Sequence, residues 1–306
     1  MGRKQRGQYL IYIALAAIAL LLYLRLQRPV EGFEEKKVPK GVILELIGGL
    51  GNQLYIYSAG KRMQQALGAP MYLVSPRDHA NYKNTHSSTD YRAVLFKDFT
   101  SIERDASQFS DKVDARVESK FWDPWSPDAI PSTDKYVWIP EQWYQHYPSI
   151  ETVIPEVRST VLSTLRPLYP DVQIKPNAAF IHVRRGDYTN GGNDAYLLDM
   201  DYYNKALDKL NQEESIETYY MFSDDIAWCR KQKWSTETPI EYVDEPNELK
   251  TLYMMSQCRA GAVISNSTFS TWGAILGSQE AGATIVYPSK WLYGASTEFP
   301  SSWIRI

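Results

Sequence analysis

The segment His182-Val183-Arg184-Arg185-Gly186-Asp187 gathers an imidazole, two guanidinium groups and a carboxylate at one point of the chain. The apolar run Ala178–Ile181 leads into it and reads as a strand over 178–183, whose alternation sends His182 and Arg184 to one face and Val183 to the other. A guanidinium is a planar fork of donors suited to bidentate phosphate recognition. An Arg pair at a strand's C-terminal end therefore points to an anion site, because ligands of open parallel sheets sit beyond those ends. The competing reading is a solvated pair, or a salt bridge from Arg184 to Asp187.

Three further clusters stand in equivalent positions. Gly48-Gly49-Leu50-Gly51-Asn52-Gln53 follows the apolar run 42–47 and resembles a phosphate-cradling turn, with Gly49 and Gly51 allowing close backbone approach. It equally fits a tight strand-to-helix turn with Asn52 as N-cap. It lacks the lysine–serine pair of an NTPase loop. Ser223-Asp224-Asp225 either caps a helix or offers carboxylates to a nucleobase edge or ribose hydroxyls. Ser265-Asn266-Ser267-Thr268 either caps a helix or presents hydroxyls and backbone N–H groups to phosphate. Asn266-Ser267-Thr268 also matches a glycosylation acceptor, which a crevice would shield. The four histidines (79, 86, 146 and 182) are scattered and no metal-ligand spacing is present, so no metal is expected and arginine would neutralise any phosphate.

The elements that must position these clusters alternate regularly. Strand 42–47, helix 52–67 stopped by Gly68, and strand 71–74 make a β–turn–α–β start. The stretch 82–148 mixes aromatics, prolines and acids without clear periodicity. A helix is predicted over 151–168, bounded by prolines at 167 and 170. Strands at 178–183, 218–222, 240–243, 262–265 and 284–287 then alternate with helices at 201–210, 227–233, 247–258 and 272–279. This predicts an α/β protein, with the clusters converging on one crevice between two α/β halves.

With 306 residues, 44% hydrophobic and 23% charged, the chain has room for a tail, an anchor and a large globular part. Residues 9–26 form an apolar run interrupted only by Arg25, about 27 Å long as a helix, and poorly suited to signal cleavage. The expected order is a cytoplasmic tail (1–8), a transmembrane anchor (9–26), a stem (27–40), an N-terminal α/β domain on the acceptor side (41–170) and a C-terminal donor-binding domain (171–306). Five basic residues and no acids precede residue 31, leaving 28 basic against 36 acidic beyond it. Nucleic acid is a poor partner for such a surface. Cys229 and Cys258 allow one disulfide or two buried thiols.

Taken together, GGLGNQLYIYSAGKRM (48–63), FIHVRRGDY (180–188), YYMFSDDIAWC (219–229) and SNSTFSTWGAIL (265–276) resemble glycosyltransferase family 11, the α-1,2-fucosyltransferases. The four stretches occur in the family's order. The resemblance implies a GT-B-like pair of Rossmann-type domains facing a cleft, GDP-fucose as donor, inversion at the anomeric carbon and no required cofactor or metal. It further implies transfer to the 2-hydroxyl of a terminal galactose on a glycan, in a secretory-pathway membrane such as the Golgi, with type II topology. Carried onto this chain, Arg184 meets the donor diphosphate with Arg185 beside it, and His182 holds the nucleotide. Asp224 or Asp225 lies near guanine or ribose, with Ser267 and Thr268 on the phosphate side. Asn52 sits where donor and acceptor meet, and Asp187 is the first candidate for the general base, Asp194 the second. Thr271 departs from the family's usual Trp and Ile56 from its usual Gln, so a looser donor pocket or altered acceptor fit is expected at Thr271. Two other functions fit the same residues: transfer to a protein serine or threonine, and a membrane-tethered glycan or sugar-nucleotide binder without catalysis.

Overall fold

A computed structural model describes residues 37–76, 89–103, 107–118, 120, 122–189, 194–213, 215–291 and 298–306. The predicted tail and anchor, and most of the stem, lie outside the described residues. Among those described, no helix is long and apolar enough to cross a membrane. Val38–Ile306 form one compact unit.

Two parallel sheets organise that unit. The first has strands β1 (Gly41–Glu45), β2 (Met71–Val74), β3 (Thr100–Ile102), β4 (Lys112–Asp114) and β5 (Tyr136–Ile139), in the order β3-β2-β1-β5-β4. Every pairing in it is parallel. The second has β6 (Ala178–Val183), β7 (Thr218–Ser223), β8 (Ile240–Val243), β9 (Ala262–Val263), β10 (Ile285–Tyr287) and β11 (Ile304–Arg305), in the order β11-β10-β9-β6-β7-β8, again all parallel. The α/β expectation is met. Both β1 and β6 are buried along their whole length, as parallel strands covered on both faces must be.

The helices that matter for the cleft are α1 (Leu50–Leu67), α2 (Ile154–Leu168), α3 (Met200–Glu213), α4 (Ile226–Cys229), α5 (Glu248–Gln257) and α6 (Thr268–Leu276). One apolar core joins Val42 and Leu44 of the first sheet to Phe180 and Phe222 of the second, with Leu54 of α1 and Trp272 of α6 between them. Tyr55 meets Trp272 edge-on at 5.4 Å, tying α1 to α6. A second cluster packs Ile181 and Val183 against Leu207 and Leu210 of α3 on the other face of the sheet.

Several boundaries differ from expectation for identifiable reasons. Helix α1 starts at Leu50 because Gly49 is the extended N-cap, and the amides of Asn52 and Gln53 both donate to its carbonyl. Asn52 is thus inside the first turn and is not the cap. Helix α6 starts at Thr268, earlier than the predicted 272, because Ser267 is extended and Thr271 N already donates to its carbonyl. The helix expected over 227–233 is the single turn α4. Cys229 and Cys258 are buried free thiols.

Candidate active site

A cavity of about 690 Å³ opens where the C-terminal ends of strands in both sheets face the N-termini of α1 and α6. Each wall follows from local sequence. After β1 the chain turns at Gly48, whose φ of 70° falls in the left-handed region that a Cβ disfavours. That turn aims the start of α1 into the cavity, with Gly49, Leu50, Gly51 and Asn52 in its wall. Gly51 answers a different need. A Cβ there would stand 2.5 Å from the backbone nitrogen of Phe269 and 2.6 Å from the carbonyl carbon of Thr268, so only glycine lets α1 and α6 meet end to end. The join is completed at Asn52, whose Oδ1 accepts from Thr268 Oγ1 at 2.8 Å and from Gln145 Nε2 at 2.9 Å.

Beyond β6, Arg184 enters the wall with its guanidinium held by two carboxylates. Its Nε and Nη2 lie 2.9 and 2.8 Å from Asp187 Oδ1, and Nε lies 3.2 Å from Asp224 Oδ2. Asp224 Oδ1 accepts from the backbone N–H of Arg185 at 2.8 Å, fixing the turn itself. His182 is buried, with Nδ1 2.8 Å from Ser265 Oγ on the neighbouring strand end. Burial pushes its pKa down to about 4, with nearby Asp224 opposing and Arg184 assisting, so the imidazole is neutral near pH 7. Ser267 and Thr268 place the N-terminus of α6 in the same wall, and Ser267 makes no side-chain capping bond. Two helix N-termini and one guanidinium at one cavity are groups that can meet an anion, beside the carboxylates of Asp187 and Asp224 that pair with Arg184.

The sequence-predicted residues divide accordingly. Gly49, Gly51, Asn52, His182, Arg184, Asp187, Asp224, Ser267 and Thr268 all line the cavity. Arg185 and Asp225 do not. The Arg185 guanidinium stacks on the Trp228 ring at 4.0 Å and donates to Asp225 Oδ2 at 3.1 Å, while Asp225 Oδ1 caps α4 through Trp228 N at 3.0 Å. The two groups expected to meet a ligand satisfy each other instead. Asp187, the first candidate base, is ion-paired with Arg184, and Asp194 is exposed and outside the cavity wall. Thr271 is fully buried with Oγ1 bonded to the Ser267 carbonyl at 3.0 Å, so it packs inside α6 and is no part of the pocket surface. Asn266 is buried, which shields the glycosylation acceptor.

Sequence reasoning missed several wall residues. Trp122, Trp143 and Gln145 come from the stretch without periodicity, Trp291 from a loop and Tyr196 from a short 3-10 turn. Asp244, Glu245 and Glu248 follow β8, and the strand-end rule applied to the other clusters would have found Asp244. Glu248 accepts from Tyr91 Oη at 2.5 Å, and Glu245 is engaged by Asn247 N and Lys250 Nζ, which hold its carboxyl below the usual range. Among the described residues no cluster of three or more His, Cys, Asp or Glu is placed to hold a metal ion.

Comparison with known proteins adds three relatives and a family. The profile of glycosyl transferase family 11 matches residues 128–299, more than half of the chain. An alpha-1,2-colitosyltransferase of Escherichia coli is 24% identical over 87% of this chain and 98% of its own length. The O-antigen biosynthesis glycosyltransferase WbnK, also of Escherichia coli, is 34% identical over 42% of this chain and 45% of its own. The galactoside 2-alpha-L-fucosyltransferase Sec1 of Mus musculus is 29% identical over 41% of this chain and 35% of its own. The chain thus spans less than half the length of the last two and nearly all of the first.

Proposed function

Because this chain belongs to glycosyl transferase family 11, we propose that it moves L-fucose from GDP-fucose to the 2-hydroxyl of a terminal galactose, with inversion at the anomeric carbon. The observation that carries the reading is the convergence of Arg184 with the N-termini of α1 and α6 on one cavity. That arrangement suits a diphosphate, whose charge grows as it leaves. The acceptor oxygen attacks C1 of fucose from the face opposite GDP. The C1–O bond to the β-phosphate breaks with its electron pair going to GDP, the new glycosidic bond forms, and the hydroxyl proton passes to solvent water. The transition state carries oxocarbenium character, by analogy with glycoside chemistry.

Within this reading, Asp187 and Asp224 hold the Arg184 fork in its plane, so that its charge is preorganised. Neutral His182 serves as a hydrogen-bonding group, because a base with a pKa of about 4 abstracts a proton poorly at pH 7. Asp244, in the wall just past β8, is assigned to the donor's nucleobase, since a carboxylate can accept from the two adjacent donors of a guanine edge. The apolar run 9–26 is proposed to tether the unit to a membrane, which partition of the chain with and without residues 1–36 would check.

The test incubates the purified protein with GDP-fucose and a panel of galactosides and protein acceptors, then determines the linkage of any product. An α-1,2-fucosylated galactoside supports the proposal. Transfer only to protein, or GDP binding without transfer, would replace it. Because the relative matched over nearly its whole length is named a colitosyltransferase, a colitosyl donor belongs in the panel.

A further inference from the structure

Glu118 is buried, at 4% exposure, yet its carboxylate meets no basic side chain at hydrogen-bonding distance among the described residues. Its two oxygens instead accept consecutive backbone amides: Oε1 from Trp143 N, and Oε2 from Tyr144 N at 2.8 Å. The tie is reciprocal. Gln142 Oε1 accepts from the backbone amides of Val117 at 2.8 Å and Glu118 at 2.6 Å. Two side chains thus replace the ladder that residues 117–118 and 142–144 do not form with each other. Tyr144 has φ 55°, a left-handed conformation that a bulky residue adopts only when its surroundings impose it. Its ring is locked edge-on against Trp125 at 5.2 Å.

What this clamp presents is a part of the cavity wall that adjoins the starts of α1 and α6. Trp143 and Gln145 both line it, as does Trp122. Gln145 Nε2 also donates to Asn52 Oδ1, the atom that receives Thr268 Oγ1, so the clamp is linked through two side chains to the start of α6. Indole faces suit the apolar C–H face of a hexopyranose, and a side-chain amide suits its hydroxyls.

We propose that Glu118 is a positioning residue for the acceptor, setting the backbone from which Trp143 and Gln145 contact a hexopyranoside in the cavity. The proposal rests on the transfer reading given above. Protonation matters to it because a protonated carboxyl turns one acceptor oxygen into a hydroxyl and loses one of the two amide bonds. Burial raises the Glu118 pKa to about 7. The two amide bonds and the Arg116 guanidinium pull it down, and Asp123 pushes it up. The Tyr144 hydroxyl, itself raised by burial and by Glu118, stays protonated throughout. His146 is shifted below its ordinary value by burial, with Glu298 and Asp123 opposing.

The experiment compares the full chain with Glu118→Gln across pH 5–9, measuring acceptor KM with lactose, donor KM with GDP-fucose, and tryptophan fluorescence with and without lactose. Glutamine keeps the shape but accepts at only one atom. Glu118→Gln should raise acceptor KM about tenfold, leaving donor KM within about twofold. The wild-type acceptor KM should climb as pH falls through about 7, and the variant should lack that climb. The wild-type fluorescence should show an inflection near pH 7 that lactose moves to lower pH. An acceptor KM and pH profile unchanged by Glu118→Gln would overturn the proposal, as would equal losses for donor and acceptor. A wild type that transfers no fucose would defeat the transfer reading instead, and the fluorescence inflection would still decide Glu118. If the variant does not fold, absence of a lactose-sensitive inflection in the wild type overturns the assignment.

Discussion

Gly51→Ala isolates the contact on which the cleft depends. The added Cβ would lie 2.5 Å from Phe269 N, 2.6 Å from Thr268 C and 2.7 Å from Thr268 Oγ1, and two of those atoms are backbone. Restoring ordinary contact, at about 3.5 Å, requires the ends of α1 and α6 to separate by roughly 1 Å. The Thr268 Oγ1 to Asn52 Oδ1 bond, now 2.8 Å, would then stretch beyond hydrogen-bonding range. Overpacking of this kind costs about 1–3 kcal/mol of stability, and a displacement of about 1 Å at a reacting site can cost about 10²-fold in rate. Gly49→Ala is the control in the same loop. Nothing lies within 4 Å of its Cβ, and its φ of −72° suits any residue. Thermal melts and kcat/KM for both variants give the comparison. Gly51→Ala should lose several degrees in Tm and most of its activity, whereas Gly49→Ala should keep its Tm. Equal melting temperatures for the two would refute the claim that the helix ends meet through Gly51.

Other perturbations follow from the same geometry. Asp224→Asn weakens the hold on both Arg184 Nε and Arg185 N, and should lower kcat/KM for the donor by about tenfold or more, read by initial rates. Asp244→Asn should narrow the preference for GDP over other nucleoside diphosphates in competition assays, with Tm unchanged. His182 and Glu118 should drive stability in opposite directions with pH. The depressed His182 pKa means that the unfolded chain binds more protons between about 6.5 and 4, so stability from neutral His182 is lost as pH falls through that window. The raised Glu118 pKa means that the folded chain binds more protons between about 4.5 and 7, so stability is lost as pH rises through that window. Denaturant melts of His182→Gln and Glu118→Gln against pH should each flatten one of these slopes.

Much of the second sheet and its strand-end clusters was legible because parallel strands buried on both faces read as apolar runs. Ala178–Val183 and Thr218–Ser223 are of that kind, with polar residues at or just past their ends lining the cavity. The first sheet was legible only at β1 and β2. Strands β3 and β4 have just three residues each, with exposed positions, and no pattern of period two can be recognised over that length. The wall formed by Trp143 and Gln145 was hidden for another reason: the chain around them is tied by side-chain-to-backbone bonds from Glu118 and Gln142, which leave no periodic trace. Arg185 shows the converse limit. It was expected beside Arg184 at the ligand, but its guanidinium lies on Trp228 and bonds Asp225 instead.

The most direct test is calorimetric titration of GDP into the wild-type chain and Arg184→Ala, with thermal melts confirming that both are folded. A guanidinium preorganised against the diphosphate predicts that the variant binds GDP at least about 30-fold more weakly, since truncating one partner of a hydrogen-bonded charge pair costs some 2–5 kcal/mol. Equal affinities in the two proteins would contradict the assignment of this cavity to a sugar-nucleotide donor.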